Sequence, residues 1–100
     1  MLHDMFAIYD SKAKIYNTPF ALLNEDVARR AALDLLADTT TQVSNHPQDF
    51  TMFYLGTYDD EQALFDLTDT PINVFRFHEL VKDVRHIVEN EAPVKLAEQQ

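Results

Sequence analysis

Apolar positions recur along this chain with two different periods, and the switches between them mark its elements. Phe6-Ala7-Ile8-Tyr9 is a short β-rich run followed by polar Asp10-Ser11-Lys12. Lys14-Ile15-Tyr16-Asn17 is β-rich again and alternates polar with apolar, which predicts an N-terminal hairpin or a strand with a short return. Thr18-Pro19 ends that pattern, because proline lacks a donor and biases its predecessor toward extended backbone. Phe20 to Leu23 adds a few extended residues. A helix follows with a readable start: Asn24 can accept from the first free amides, and Glu25 and Asp26 sit at the positive end of the helix dipole. Val27, Ala28, Ala31, Ala32, Leu35 and Leu36 then recur at helical spacing, with Arg29, Arg30 and Asp34 on the other side. An alanine-rich face predicts close packing against a sheet. Asp38-Thr39-Thr40-Thr41 closes the helix, and the polar stretch through Asn45-His46-Pro47 reads as a loop.

The period changes back at Phe50, where an aromatic-rich strand runs to Tyr58. Strict alternation sends Met52, Tyr54 and Gly56 to one side and Phe53, Leu55 and Thr57 to the other. Large apolar groups on both sides require either cover on both or a partner on one. Gly56, the one glycine of the chain, predicts a β-bulge or a positive φ. Asp59-Asp60-Glu61 turns the chain and Ala63-Leu64-Phe65-Asp66-Leu67 returns as a second hairpin. Asp69-Thr70-Pro71 reads as a boundary. Beyond it Phe77, Leu80, Val81, Val84, Ile87 and Val88 form one helical stripe ending near Asn90. The order strand-strand-helix-strand-strand-helix predicts an α+β fold, a small mostly antiparallel sheet of about four strands with two helices packed on one face. Residues 1–92 form the single domain of this reading, and 93–100 a frayed tail.

Composition narrows the chemistry. One hundred residues with 46% apolar content supply one modest core, and a homodimer is one way to enlarge it. Seventeen acidic residues against eight basic ones give a net charge of −9, which on average repels phosphate backbones and anionic membranes. A local basic strip is still compatible with that total, since charges are screened over about 8 Å at physiological salt. The absence of cysteine removes disulfides, thiolate metal sites and thiol nucleophiles together. Met1 to Phe6 has no positive n-region, and no apolar run approaches the roughly 18 residues of a membrane span, so neither export nor membrane insertion is expected.

No constellation calls for a cofactor, a metal or a catalytic centre. His3, His46, His78 and His86 show no close ligand spacing, and the Asp59-Asp60-Glu61 cluster reads as a solvated turn. Ser11 and Ser44 lack any hydrolase context, and one glycine leaves little room for a phosphate loop. The expectation is therefore a non-enzymatic protein. Tyr9, Lys12, Lys14 and Tyr16 interleave aromatics with bases on one short segment, the chemistry that holds single-stranded DNA without sequence preference. Arg29 and Arg30, on the exposed side of the first helix, are the further candidates. The same alternation is also what an ordinary exposed edge strand carries, lysine there discouraging edge pairing.

Several blocks resemble a known family. Tyr9-Asp10-Ser11-Lys12-Ala13, Pro19-Phe20, His46-Pro47-Gln48-Asp49-Phe50-Thr51-Met52-Phe53 and Leu55-Gly56-Thr57-Tyr58-Asp59-Asp60 are similar, in order and separation, to the small non-structural protein of gokushovirus-type Microviridae. These are phages with single-stranded DNA genomes. The similarity spans residues 6 to 71. Gln48 stands where the family often has Glu and Phe50 where it often has Tyr, and neither helix carries a matching motif. The resemblance implies a protein absent from the virion, acting in the host bacterial cytoplasm, that binds DNA or assists single-stranded genome replication and packaging. Its implied partners are single-stranded DNA and a viral or host replication or packaging protein. It carries over no catalytic residue. The competing expectation is an acidic interaction module that engages a host or viral protein as an inhibitor or DNA mimic.

Overall fold

The structure is a computed structural model that describes residues 1–84. Strands β1 (Leu2–Asp10), β2 (Ile15–Tyr16) and β3 (Phe20–Leu22) precede helix α1 (Glu25–Ala37) and a single helical turn α2 (Gln42–Asn45). A 3-10 turn at Pro47–Asp49 feeds β4 (Phe50–Asp59), which turns into β5 (Leu64–Arg76) and a second 3-10 turn at Phe77–Leu80. The fold class is α+β, as the periodicity predicts. All strands join one five-stranded sheet in the order β2-β1-β4-β5, with β3 also on β1, and every pairing is antiparallel.

The long antiparallel pair β1–β4 is the spine. Asn17 repairs the edge where Thr18-Pro19 interrupts it: its side chain accepts from the Ile8 amide at 2.6 Å and its own amide donates to the Ile8 carbonyl at 2.8 Å. Asn24 caps α1 as its position predicts, accepting from the Val27 amide at 2.9 Å. Ala28, Ala32 and Leu36 are the buried face of α1, four residues apart, and the alanines let the helix lie close to the sheet. They meet Phe6 and Ile8 of β1, Met52 of β4, and Phe75, Phe77 and Leu80 at the chain's return. Phe6, Met52 and Phe77 are almost completely buried, each contributing roughly 1.5–3 kcal/mol relative to exposure. The loop expected between α1 and β4 holds two short helical turns, the first capped by Thr41, whose hydroxyl accepts from the Ser44 amide and donates to the Leu35 carbonyl.

Three features differ from the sequence reading. First, β5 passes through Asp69-Thr70-Pro71 instead of ending there. Between the Tyr54–Ile72 and Gly56–Leu67 pairs, one residue of β4, Leu55, stands opposite four of β5, residues 68–71. Pro71 lies in that excursion, outside the ladder, so its missing amide leaves no hydrogen bond unmade. The Thr68 hydroxyl lies 3.2 Å from the Leu55 carbonyl and 2.8 Å from that of Thr70, bridging the gap. Second, the alternation of β4 reverses at Leu55, where a bulge puts Gly56 opposite Met5 after Tyr54 has paired with Phe6. Gly56 has φ +132°, and a Cβ there would collide with the Asp66 carbonyl oxygen and sit 2.7 Å from Leu67 Cα. Third, the stripe from Phe77 opens as a 3-10 turn before residues 81–84 become helical. The rest of the predicted C-terminal helix, the domain boundary at 92 and the tail lie outside the described residues.

Candidate nucleic-acid interface

Register assigns each paired strand residue to one of two faces, because directly paired residues of antiparallel strands share a side. The face bearing Phe6, Ile8, Met52 and Phe75 is covered by α1 at one end of the sheet. The other face, called open below, has no helix packed on it among the described residues. At the covered end it carries a cross-strand row running Tyr16, Tyr9, Thr51, Arg76, and beside it Ala7, Phe53 and Asn73.

Tyr9, Tyr16 and Phe53 form one aromatic group on this face. Their ring centroids lie 4.7 Å apart for Tyr9–Tyr16, 5.5 Å for Tyr16–Phe53 and 6.3 Å for Tyr9–Phe53, tilted or edge-on. Such contacts fix ring orientation by quadrupole attraction. Ala7, between Met5 and Tyr9 on this face and opposite Phe53, is 1% exposed although no helix among the described residues packs on this face. Tyr16 stays 42% exposed and presents the outermost ring.

Lys12 and Lys14 stand in the turn joining β1 to β2, both exposed. Asp10 builds that turn: its carboxylate accepts from the Lys12 and Ala13 amides at 2.9 and 3.3 Å, and its carbonyl accepts from Lys14 at 2.8 Å. Lys14 closes it at φ 61°. The Ser11 amide donates to the Asp49 carbonyl, fastening the turn to the start of β4. Lys12 lines an open groove with Asp10, Gln42, His46 and Asp49. Among the described residues, the ion pairs within 4.0 Å are made by the Met1 ammonium and His3 with Asp59, Asp60 and Glu61, leaving Lys12, Lys14 and Arg76 in none.

The structure thus brings Tyr9 and Tyr16 together and sets Lys12 and Lys14 at their end of the sheet. It does not bring Arg29 and Arg30 to them. The Arg29 guanidinium lies 5.0 Å above the Phe75 ring on the helix-covered side, a cation–π contact, and Arg30 is exposed on α1. Phe53 and Arg76 belong to the open face and were not among the predicted DNA contacts. The signal for Arg76 lies in Phe75-Arg76-Phe77, whose alternation turns the middle residue away from the core, but it is readable only once β5 is carried past Pro71.

The acids are distributed unevenly between the faces. Asp4, Asp10, Asp59 and Asp66 all pair on the helix-covered side of their strands, and no paired strand position on the open face is Asp or Glu. Tyr54, on the covered side, has its hydroxyl pKa raised by burial, with the charges of Asp4 and Asp66 adding to the shift. No helix among the described residues is long and apolar enough to cross a membrane. No curated protein and no solved structure matches the chain. Residues 3–80, which take in the whole sheet except Leu2 and include the aromatic group, match the model of the Phage ORF5 protein family, and the chain belongs to that family of phage proteins.

Proposed function

We propose that this phage protein is a non-enzymatic accessory factor that holds single-stranded DNA across its open sheet face during genome replication or packaging in the host cytoplasm. On the blocks that resemble the non-structural protein of gokushovirus-type Microviridae, we assign it to phages of that kind. One observation carries the reading: in a chain of net charge −9, the paired positions of the open face include no acid, and that face bears three clustered aromatic rings beside Lys12, Lys14 and Arg76. Bases stacking on Tyr16, Tyr9 and Phe53 supply about 1–3 kcal/mol each without sequence preference. The three cations follow the phosphates at the edges of the platform. Arg29 and Arg30, on the other side of the sheet, take no part.

Titration with labelled oligo-dT at several salt concentrations tests this. With about three phosphates neutralised, log K falls with log salt at a slope of roughly −2. Lys12→Glu with Lys14→Glu removes most of that slope, and Tyr16→Ala weakens binding about tenfold. Absence of binding at low salt, or binding indifferent to these changes, overturns the proposal.

A further inference from the structure

Beyond the bulge at Leu55, the sheet runs on past α1, and its outer strand carries a second surface of different chemistry. Leu64, Phe65 and Leu67 are each about 60% exposed. Among the described residues nothing pairs with the outer edge of β5, whose backbone donors and acceptors there are a template for another strand. The two faces of that edge differ. On the open face Phe65 and Leu67 join Met5, Leu55 and Pro19 around an apolar groove of about 350 Å³. On the covered side the register aligns Asp4, Thr57 and Asp66 in one row, with Asp66 outermost, so its carboxylate stands where the next residue of an added strand would face it.

We infer that β5 is a docking edge for an extended segment of a basic partner protein, in which apolar residues alternating with lysine or arginine continue the sheet beside Phe65, Asp66 and Leu67. Main-chain hydrogen bonds to the edge give such a strand its affinity, and alternate side chains give it specificity. Its apolar residues enter the groove and its basic residue meets Asp66. Charge decides between occupants: two copies of this chain each bring −9, and an edge carrying Asp66 repels its own duplicate while it attracts a basic strand. The inference does not rest on the DNA reading, since it uses neither the aromatic group nor the lysines.

A fluorescein-labelled heptapeptide of alternating valine and lysine, titrated into the full chain at physiological salt, is the test. Saturable binding is expected. It should weaken at least tenfold when the same residues are sorted into a valine block and a lysine block, or when alternate amides along one edge are N-methylated. Leu67→Glu adds negative charge yet removes the apolar neighbour, and is expected to weaken binding at least tenfold; Asp66→Lys does the same through charge. Both positions are exposed, and unchanged circular dichroism confirms that the variants stay folded. Block and alternating peptides binding alike, or Leu67→Glu binding as well as the parent, would reduce the site to diffuse electrostatics and overturn the proposal. So would a dimer of the free chain, detected by sedimentation and abolished by Leu67→Glu, in the absence of peptide binding.

Discussion

The two hairpin turns of this protein share a geometry and differ in charge. At one end of the sheet Asp10 accepts from the Lys12 amide at 2.9 Å and Lys14 closes the turn at φ 61°; at the other Asp59 accepts from the Glu61 amide at 2.9 Å and Ala63 closes it at φ 57°. In each, an aspartate side chain imitates a backbone turn and a non-glycine residue takes the left-handed position. The first turn carries Lys12 and Lys14 beside the Tyr9–Tyr16–Phe53 group and belongs to the end packed under α1. The second carries Asp59, Asp60 and Glu61 beside the apolar edge of β5. Because the backbone needs only the leading aspartate, the intervening charges are free to serve contact. Eight residues of β1 at about 3.3 Å each put the two turns roughly 25 Å apart, three times the distance over which charge is screened at physiological salt. An acidic protein can therefore keep one end fit for a polyanion.

The sharpest way to break this comparison is to empty equivalent apolar positions at the two ends. Phe6→Ala, in the packed end, should lower unfolding free energy by about 3–5 kcal/mol, whereas Phe65→Ala should change it by only about 0.5 kcal/mol; urea denaturation reads both. Equal losses would mean that the outer end is a second core. Gly56 lies where the two ends join, and Gly56→Ala is expected to cost about 2–3 kcal/mol, since the methyl collides with β5 backbone and the φ is strained. Changing either turn-closing residue to glycine tests whether the turns are alike: Lys14→Gly and Ala63→Gly should each stabilise by about 0.5–1 kcal/mol, the left-handed strain relieved less the added chain entropy. A gain at one turn only would separate them.

The smallest effect concerns pH at the acidic end. Asp60 is held below the usual carboxylate range, first by its hydrogen bond from the Met1 ammonium and then by that from His3. A carboxylate lowered on folding stabilises the fold above its unfolded pKa, and that contribution is lost as pH falls through the folded value. Carboxyl NMR should show Asp60 titrating below the usual carboxylate range, and His3→Ala should move its midpoint upward. An unmoved midpoint would leave the Met1 ammonium as the sole cause.

Much of the fold was legible because local signals agree with tertiary need. Asn24 followed by Glu25 and Asp26 marks the start of α1, and the alanine spacing names the face that packs. Gly56 announced its bulge, since it is the chain's one residue without a Cβ. Other parts were hidden by signals that usually mean something else. Pro71 ordinarily ends a strand, and its tolerance depends on Leu55 facing four residues across the ladder, a pairing no local pattern reveals. The same slip moved Gly56 and Tyr58 onto the open face, against strict alternation. In the candidate interface, Tyr9 and Tyr16 were found because they are close in sequence. Phe53 and Arg76 reach them only through the register of β4 and β5.

The central claim is that DNA lies on the aromatic open face at the basic end. The most direct measurement is the aromatic NMR spectrum of the full chain, with and without oligo-dT, at low salt. Stacked bases should shift the ring protons of Tyr9, Tyr16 and Phe53 upfield while those of Tyr58 and Phe65, on the same face at the acidic end, stay in place. Shifts confined to Tyr58 and Phe65, or no shift in any of the five rings at saturating oligo-dT, would contradict the account.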